Sequence, residues 1–275
     1  VAVCAAKMVN IFMKQIQNAK VIVVKVGTST LTYPSGMLNL RRIDSLVKTL
    51  CDLQNAGHQM ILVSSGAVSA GLAKIGFLRR PDSTEEKQAA AAVGQCELMN
   101  MYEARFASFG HKVAQILITR FTVENEIMRK NAEGTFRVLL EKGCIPIVNE
   151  NDSVSYEGIE FGGNDLLAAY VAEIAKADLL INMSDVDGLY DANPRTNPNA
   201  KLIARVEKFD DAILQMAGGA GTERGTGGMK AKIEAAIIAS NAGIPSMIVN
   251  GANPEILYDI MDGKPCGTIF AAEQA

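Results

Sequence analysis

Two periods of apolar residues divide the chain. Lys20–Val26 reads as a strand buried on both faces, because VIVVKV is nearly continuous and β-branched. From Leu40 to Leu53, the residues Leu40, Ile43, Leu46, Val47, Leu50 and Leu53 recur at helical spacing, and Gly57 is placed to end that helix. The same reading predicts strands at 60–63, 113–118, 145–148, 179–183, 246–249 and 268–270. It predicts helices at 88–109, 131–141, 166–177, 229–241 and 254–262, with a short one after Ser64-Ser65-Gly66. Residues 27–36 read as a polar turn, 156–161 as a short hairpin, and 201–206 as a short strand in an excursion.

Strands alternating with helices predict an α/β fold, a three-layer α/β/α sandwich around a mainly parallel central sheet. One domain is expected over 19–275, with two lobes meeting near residue 177. Residues 1–18 are set apart as an N-terminal extension or an expression remnant. Ligands of such sheets bind outside the carboxyl ends of the strands, where the polar motifs of this chain fall.

Composition narrows the function. With 275 residues, 48% hydrophobic and 21% charged, the chain has the balance of a globular protein rather than a disordered or coiled-coil one. A net charge of −3 removes the default case for a duplex DNA surface. No apolar run approaches the ~18 residues that span a bilayer, and Lys7 interrupts the apolar start too early for a signal peptide. Five scattered cysteines, never in a CxxC pair, suit reduced thiols and a cytoplasmic setting. Two histidines leave little room for histidine metal sites or histidine acid–base chemistry, and the absence of Trp weakens stacking on nucleic acid.

Six segments carry candidate chemistry. Lys25-Val-Gly-Thr-Ser-Thr30 puts a lysine in an apolar strand, which points either to an edge position or to a phosphate ligand across the Gly27 turn. Ser64-Ser65-Gly66-Ala67 is either an anion-binding helix start or an ordinary N-cap. Asn149-Glu-Asn-Asp152 is either a substrate-holding strand end or an Asx-rich turn. Gly162-Gly-Asn164-Asp165 opens a helix, and its glycine pair permits close approach by a ligand or another loop. Ser184-Asp185-Val-Asp187-Gly-Leu-Tyr190 ends a strand as a ligand-binding turn and lacks the spacing of a calcium loop.

The last segment, Gly218–Lys232, has six glycines between 218 and 228 and feeds a helix. Lys230 and Lys232 lie just inside that helix, where their charges oppose its dipole, and a negative ligand would compensate. The spellings of the P-loop, the dinucleotide-binding glycine motif, the GxSxG elbow and the HExxH helix are all absent.

In order and spacing, VKVGTS, LVSSGAV, AAVGQ, QILITR, PIVNENDSV, DVDGLYDANP and GTGGMKAK resemble the amino-acid kinase family from about Val21 to Phe270. Within it, the chain is similar to the branch that phosphorylates the γ-carboxylate of L-glutamate at the start of proline biosynthesis. The resemblance implies an acceptor-binding lobe at about 19–177 and a nucleotide-binding lobe at about 178–275. It implies Lys25, Lys232 and Asp165 as catalytic, the aspartate orienting the two lysines. Ser65, Asp152, Asn164 and Asn149 are implied at the glutamate, and Lys25, Gly27, Thr28, Ser184, Asp185, Gly225, Thr226, Gly227, Gly228, Met229, Lys230, Ala231 and Lys232 at the nucleotide.

The implied partners are ATP with Mg²⁺, L-glutamate, proline as an inhibitor and a glutamyl-phosphate reductase receiving the product, in a homo-oligomer (dimer or tetramer) that binds neither nucleic acid nor membrane. Two departures stand out. Gly163 occupies a position where relatives often carry Asp, and the small RNA-binding-like PUA domain that follows in many relatives is not expected in this shorter form. A sibling kinase for another carboxylate or carbamate, and a non-catalytic nucleotide sensor, are the competing readings.

Overall fold

The computed structural model describes residues 14–33, 37–77, 81–155, 161, 163–217 and 228–273. Its strands are β1 (Val21–Val26), β2 (Gln59–Ser64), β3 (Val113–Ile118), β4 (Ile145–Glu150), β5 (Leu179–Ser184), β6 (Arg205–Val206), β7 (Ser246–Asn250) and β8 (Thr268–Phe270). They form one sheet in the order β3-β4-β2-β1-β5-β7-β8-β6. Every pairing in it is parallel except β7 with β8. The strands that precede residue 177 thus lie together on one side, and those that follow lie on the other.

Alternation along β1 explains the layers. Ile22, Val24 and Val26 face a core built with α2 (Leu40–Asn55), α4 (Thr84–Ser108) and α10 (Ile256–Met261). Val23 faces the opposite core, which is built with α6 (Glu126–Glu141), α7 (Asn164–Ile174) and, beyond the short α8 (Asp211–Ala217), α9 (Met229–Asn241). The period of two that buries this strand on both faces therefore places Lys25 on the α7 and α9 side. The β-rich core and its two helical layers match the expected sandwich.

Several boundaries move for physical reasons. Residues 27–36 were expected as a turn, but Thr28–Leu31 forms a short helix, α1, pinned by Arg42 Nη1 donating to the carbonyls of Ser29 and Thr30 at 3.4 and 3.0 Å. Helix α4 starts at Thr84 instead of 88, because the Ser83 side chain accepts from Glu86 N and caps it. Asn125 caps α6 at Glu126 in the same way, ahead of the expected 131, after the short α5 (Arg120–Glu124). Strand β4 continues through Asn149 and Glu150, which the sequence reading placed in the following turn. Helix α7 starts at Asn164, so both residues of the Asn164-Asp165 pair are helical. The expected hairpin falls largely at 156–160, outside the described residues.

Helix α3 (Ala67–Ile75) crosses α4 with the backbones in contact. A Cβ on Gly71 would fall inside the van der Waals radius of the Ala90 carbonyl, and one on Gly94 inside that of Ala67. This crossing sets the height of the Ser64–Ala67 corner above the sheet. Gly71→Ala is expected to cost about 1–3 kcal/mol or more, seen as a Tm several degrees below that of the parent in calorimetry.

Candidate active site

The site forms where β1, β5, α7 and α9 meet. Lys25 Nζ lies 2.6 Å from Asp165 Oδ1, and Lys232 Nζ lies 3.0 Å from Asp165 Oδ2. The three side chains are 7%, 1% and 9% exposed. Each reaches the centre for a reason of local structure. Lys25 is carried on the inner face of β1, Asp165 sits in the first turn of α7, and Lys232 sits one turn into α9. Asn182 on β5 stands in register with Lys25 and donates its amide Nδ2 to Asp165 Oδ1 at 2.6 Å.

Burial disfavours the charged form of both Lys25 and Asp165, but their neighbours decide the outcome differently. Burial pushes the Lys25 ammonium below the ordinary lysine value, against the pull of the Asp165 carboxylate, and the Lys232 charge pushes the same way as burial. Burial alone would raise Asp165, but the charges of Lys25 and Lys232, with hydrogen bonds from Lys25 and Asn182, hold it below the usual carboxylate range. Two lysines share one carboxylate here, in a place where water screens charge poorly, and the Asp185 carboxylate adds a further pull on Lys25.

On the β4–β2 side lies a network of amides. Asn164 Nδ2 donates to the Ser64 carbonyl, to Ser65 Oγ and to Asn149 Oδ1 at 2.8, 3.0 and 2.9 Å. Asn149 Nδ2 donates to Gln95 Oε1 at 3.1 Å, and Gln95 Nε2 donates to Gln115 Oε1 at 3.1 Å. With its nitrogen committed inward, Asn164 is left with the chemistry of an acceptor. Asp152 stands half-buried in the turn that leaves β4. Glu150 is turned into the protein, where its Oε1 accepts from Phe161 N at 3.3 Å.

On the β5–β7 side, Ser184 Oγ donates to Asp185 Oδ1 at 3.2 Å, and Arg195 pairs with Asp185 Oδ2 at 3.1 Å. Asn250 Nδ2 and Tyr190 OH both donate to Asp187, at 2.8 and 2.9 Å, and hold the turn after β5. Gly27, half-buried beside Thr28, borders the centre: a Cβ there would stand 3.5 Å from Lys25 Nζ. Gly228, Met229 and Ala231 lead into α9 and are described; Gly225, Thr226 and Gly227 lie outside the described residues. Lys230 and Lys232, both placed just inside the helix by the sequence, diverge. Lys232 turns into the centre, whereas Lys230 is 77% exposed and pairs with Glu234 at 3.9 Å.

Three further placements matter. Gly163 has φ 132° and ψ 161°, a backbone that favours glycine, so this position is shaped for Gly and not merely stripped of a carboxylate. His58 and His111 lie ahead of β2 and β3, at the amino ends of the strands and away from the site. Among the described residues no group of three His, Cys, Asp or Glu is arranged to hold a metal, and no helix is long and apolar enough to cross a membrane.

Of the residues singled out in the sequence, the fold joins both lysines and Asp165 in one cluster and Ser65, Asn149 and Asn164 in an adjoining one. The sequence reading missed Asn182 and Gln95. The signal for Asn182 was a lone amide inside the apolar strand Leu179–Ser184; the signal for Gln95 was its place in AAVGQ without an assigned role.

The profile of the amino acid kinase family matches residues 20–250. The chain is 53% identical over 261 residues to the glutamate 5-kinase of Clostridium tetani, covering 95% of this chain and 97% of the relative. It is 49% identical over 265 residues to that of Clostridium perfringens, covering 95% and 98%. Among solved structures, carbamate kinase from Giardia lamblia bound to AMP-PNP superposes with a TM-score of 0.65 at 16% identity, covering 94% of this chain and 100% of that one. UMP kinase from Bacillus anthracis superposes with a TM-score of 0.64 at 14% identity, covering 93% and 97%.

The electrostatics predict a pH effect. Asp165→Asn removes the charge that opposes the burial of Lys25, so its ammonium titrates lower still. The alkaline limb of the rate profile is expected to move to lower pH, and turnover at pH 7 to fall by about 10²-fold from misplaced lysines. A pH–rate profile of the variant beside the parent measures both.

Proposed function

The chain belongs to the amino acid kinase family, and from that premise we propose that it transfers the γ-phosphoryl group of ATP to the γ-carboxylate of L-glutamate, opening proline biosynthesis. The observation that carries the reading is the buried Lys25–Asp165–Lys232 centre, placed between the amide network of β4 and β2 and the turn after β5.

In this proposal a carboxylate oxygen of glutamate attacks the γ-phosphorus, a P–O bond forms, the β,γ-bridging P–O bond breaks, and ADP leaves. No proton is removed, because a carboxylate of pKa ~4.3 is already ionised. The absence of histidine from the site fits that chemistry. The obstacle is the approach of an anion to a polyanion, and catalysis consists of positioning and charge neutralisation. Lys25 and Lys232 supply the charge, and Asp165 aims them. Ser65, Asn164 and Asp152 hold the acceptor: the Asn164 carbonyl and the Asp152 carboxylate suit its ammonium, with Asn149 setting Asn164. Ser184, Asp185, Gly27, Thr28 and residues 225–232 border the nucleotide.

Mg²⁺ would arrive on the ATP phosphates and neutralise part of their charge, as it does where a protein offers no oxygen cage of its own. Proline as inhibitor, delivery of the labile acyl phosphate to a glutamyl-phosphate reductase, and a cytoplasmic homo-oligomer belong to the same proposal and rest on kinship alone.

A hydroxamate assay tests it. ATP, Mg²⁺, hydroxylamine and a panel of acceptors are expected to give γ-glutamyl hydroxamate with glutamate and a lower signal when proline is added. Product with another acceptor alone would assign the chain to a sibling reaction. No product from folded protein that binds ATP would point to a nucleotide sensor.

A further inference from the structure

Asn182 is an unexpected side chain for its position. It lies on β5 among Leu180, Ile181 and Met183, and is 4% exposed. A carboxylate only accepts hydrogen bonds, so an amide against Asp165 must present its nitrogen, as Nδ2 does at 2.6 Å. Asn182 Oδ1 is then left buried with no hydrogen-bond partner among the described residues. A buried acceptor without a partner destabilises a fold relative to an apolar side chain of the same shape. A leucine would fill this strand position at less cost if packing were all that counted.

The placement suggests what is gained. Asn182 and Lys25 are neighbours in register on paired strands, so the backbone ladder fixes the distance between them. Asp165 descends from α7 onto both. Its Oδ1 accepts from Lys25 and Asn182, and its Oδ2 accepts from Lys232. Without the second donor on Oδ1, the carboxylate is free to turn about its last side-chain bond and to favour one lysine.

We propose that Asn182 is a positioning residue of the phosphoryl-transfer centre, locking the plane of the Asp165 carboxylate so that each oxygen aims a different lysine. This rests on the proposed kinase reaction and adds to it a residue that touches no substrate.

The full chain carrying Asn182→Leu or Asn182→Asp tests the assignment, through Tm, through kcat and both KM values, and through the pH profile. Asn182→Leu is expected to keep or raise Tm while kcat falls about tenfold, with KM for ATP and glutamate little changed. In Asn182→Asp the short contact to Asp165 needs a shared proton, since two ionised carboxylates repel at that distance. Its kcat is expected to fall with rising pH over a range where the parent is flat.

An unchanged kcat in Asn182→Leu, or a loss that follows Tm and both KM values together, overturns the role. So does a pH profile of Asn182→Asp that superimposes on the parent, which decides the matter if the leucine variant does not fold. A parent inactive with every acceptor defeats the kinase reading and this role with it; an active parent with unaffected variants defeats this role alone.

Discussion

One carboxylate, shared by two buried ammonium groups, is the constraint on which this molecule turns. Lys25, Asp165 and Lys232 lie 67 to 207 positions apart in the chain and meet only because a parallel sheet and its crossovers deliver them to one point. Removing one partner of a buried pair leaves a charge without compensation, which is far costlier than never having had the pair. The centre is therefore stable only as a set. In the proposed reaction the same lysines meet the transferring phosphoryl group, so the feature that burdens folding is the one assigned to catalysis.

Strand order converts that centre into a meeting place. β1 carries Lys25 in the middle of the sheet, with β2 and β4 on one side and β5 and β7 on the other. The amide network hangs on the first pair and the aspartate-rich turn on the second, so the proposed acceptor and nucleotide would reach one lysine from opposite directions. The amides also restrict one another. Asn149 uses its nitrogen on Gln95 and its oxygen on Asn164, which fixes how Asn164 faces the site.

Much of this was legible in the sequence, and the omissions have a common cause. A lysine inside VIVVKV signals its own importance, because an apolar strand tolerates such a residue only when it is paired. Ser65 and the Asn164-Asp165 pair announce themselves at a strand end and a helix start. Asn182 gives a weaker signal: one amide in an apolar strand becomes meaningful only once register places it beside Lys25. Lys230 and Lys232 looked equivalent by spacing, and only the direction of α9 separates the solvated one from the buried one. Boundaries shifted where a capping side chain, Ser83 or Asn125, outweighed the apolar period.

In the proposed reaction the two lysines act as one device through Asp165. Single-turnover phosphoryl transfer to glutamate, measured by rapid quench for Lys25→Met, Lys232→Met and the double variant, tests it directly. Each single change is expected to slow transfer by about 10²-fold or more, and the double change by little beyond either single one, as for residues that work as a unit. Losses that multiply in the double variant would mean that the lysines act independently and would contradict the account.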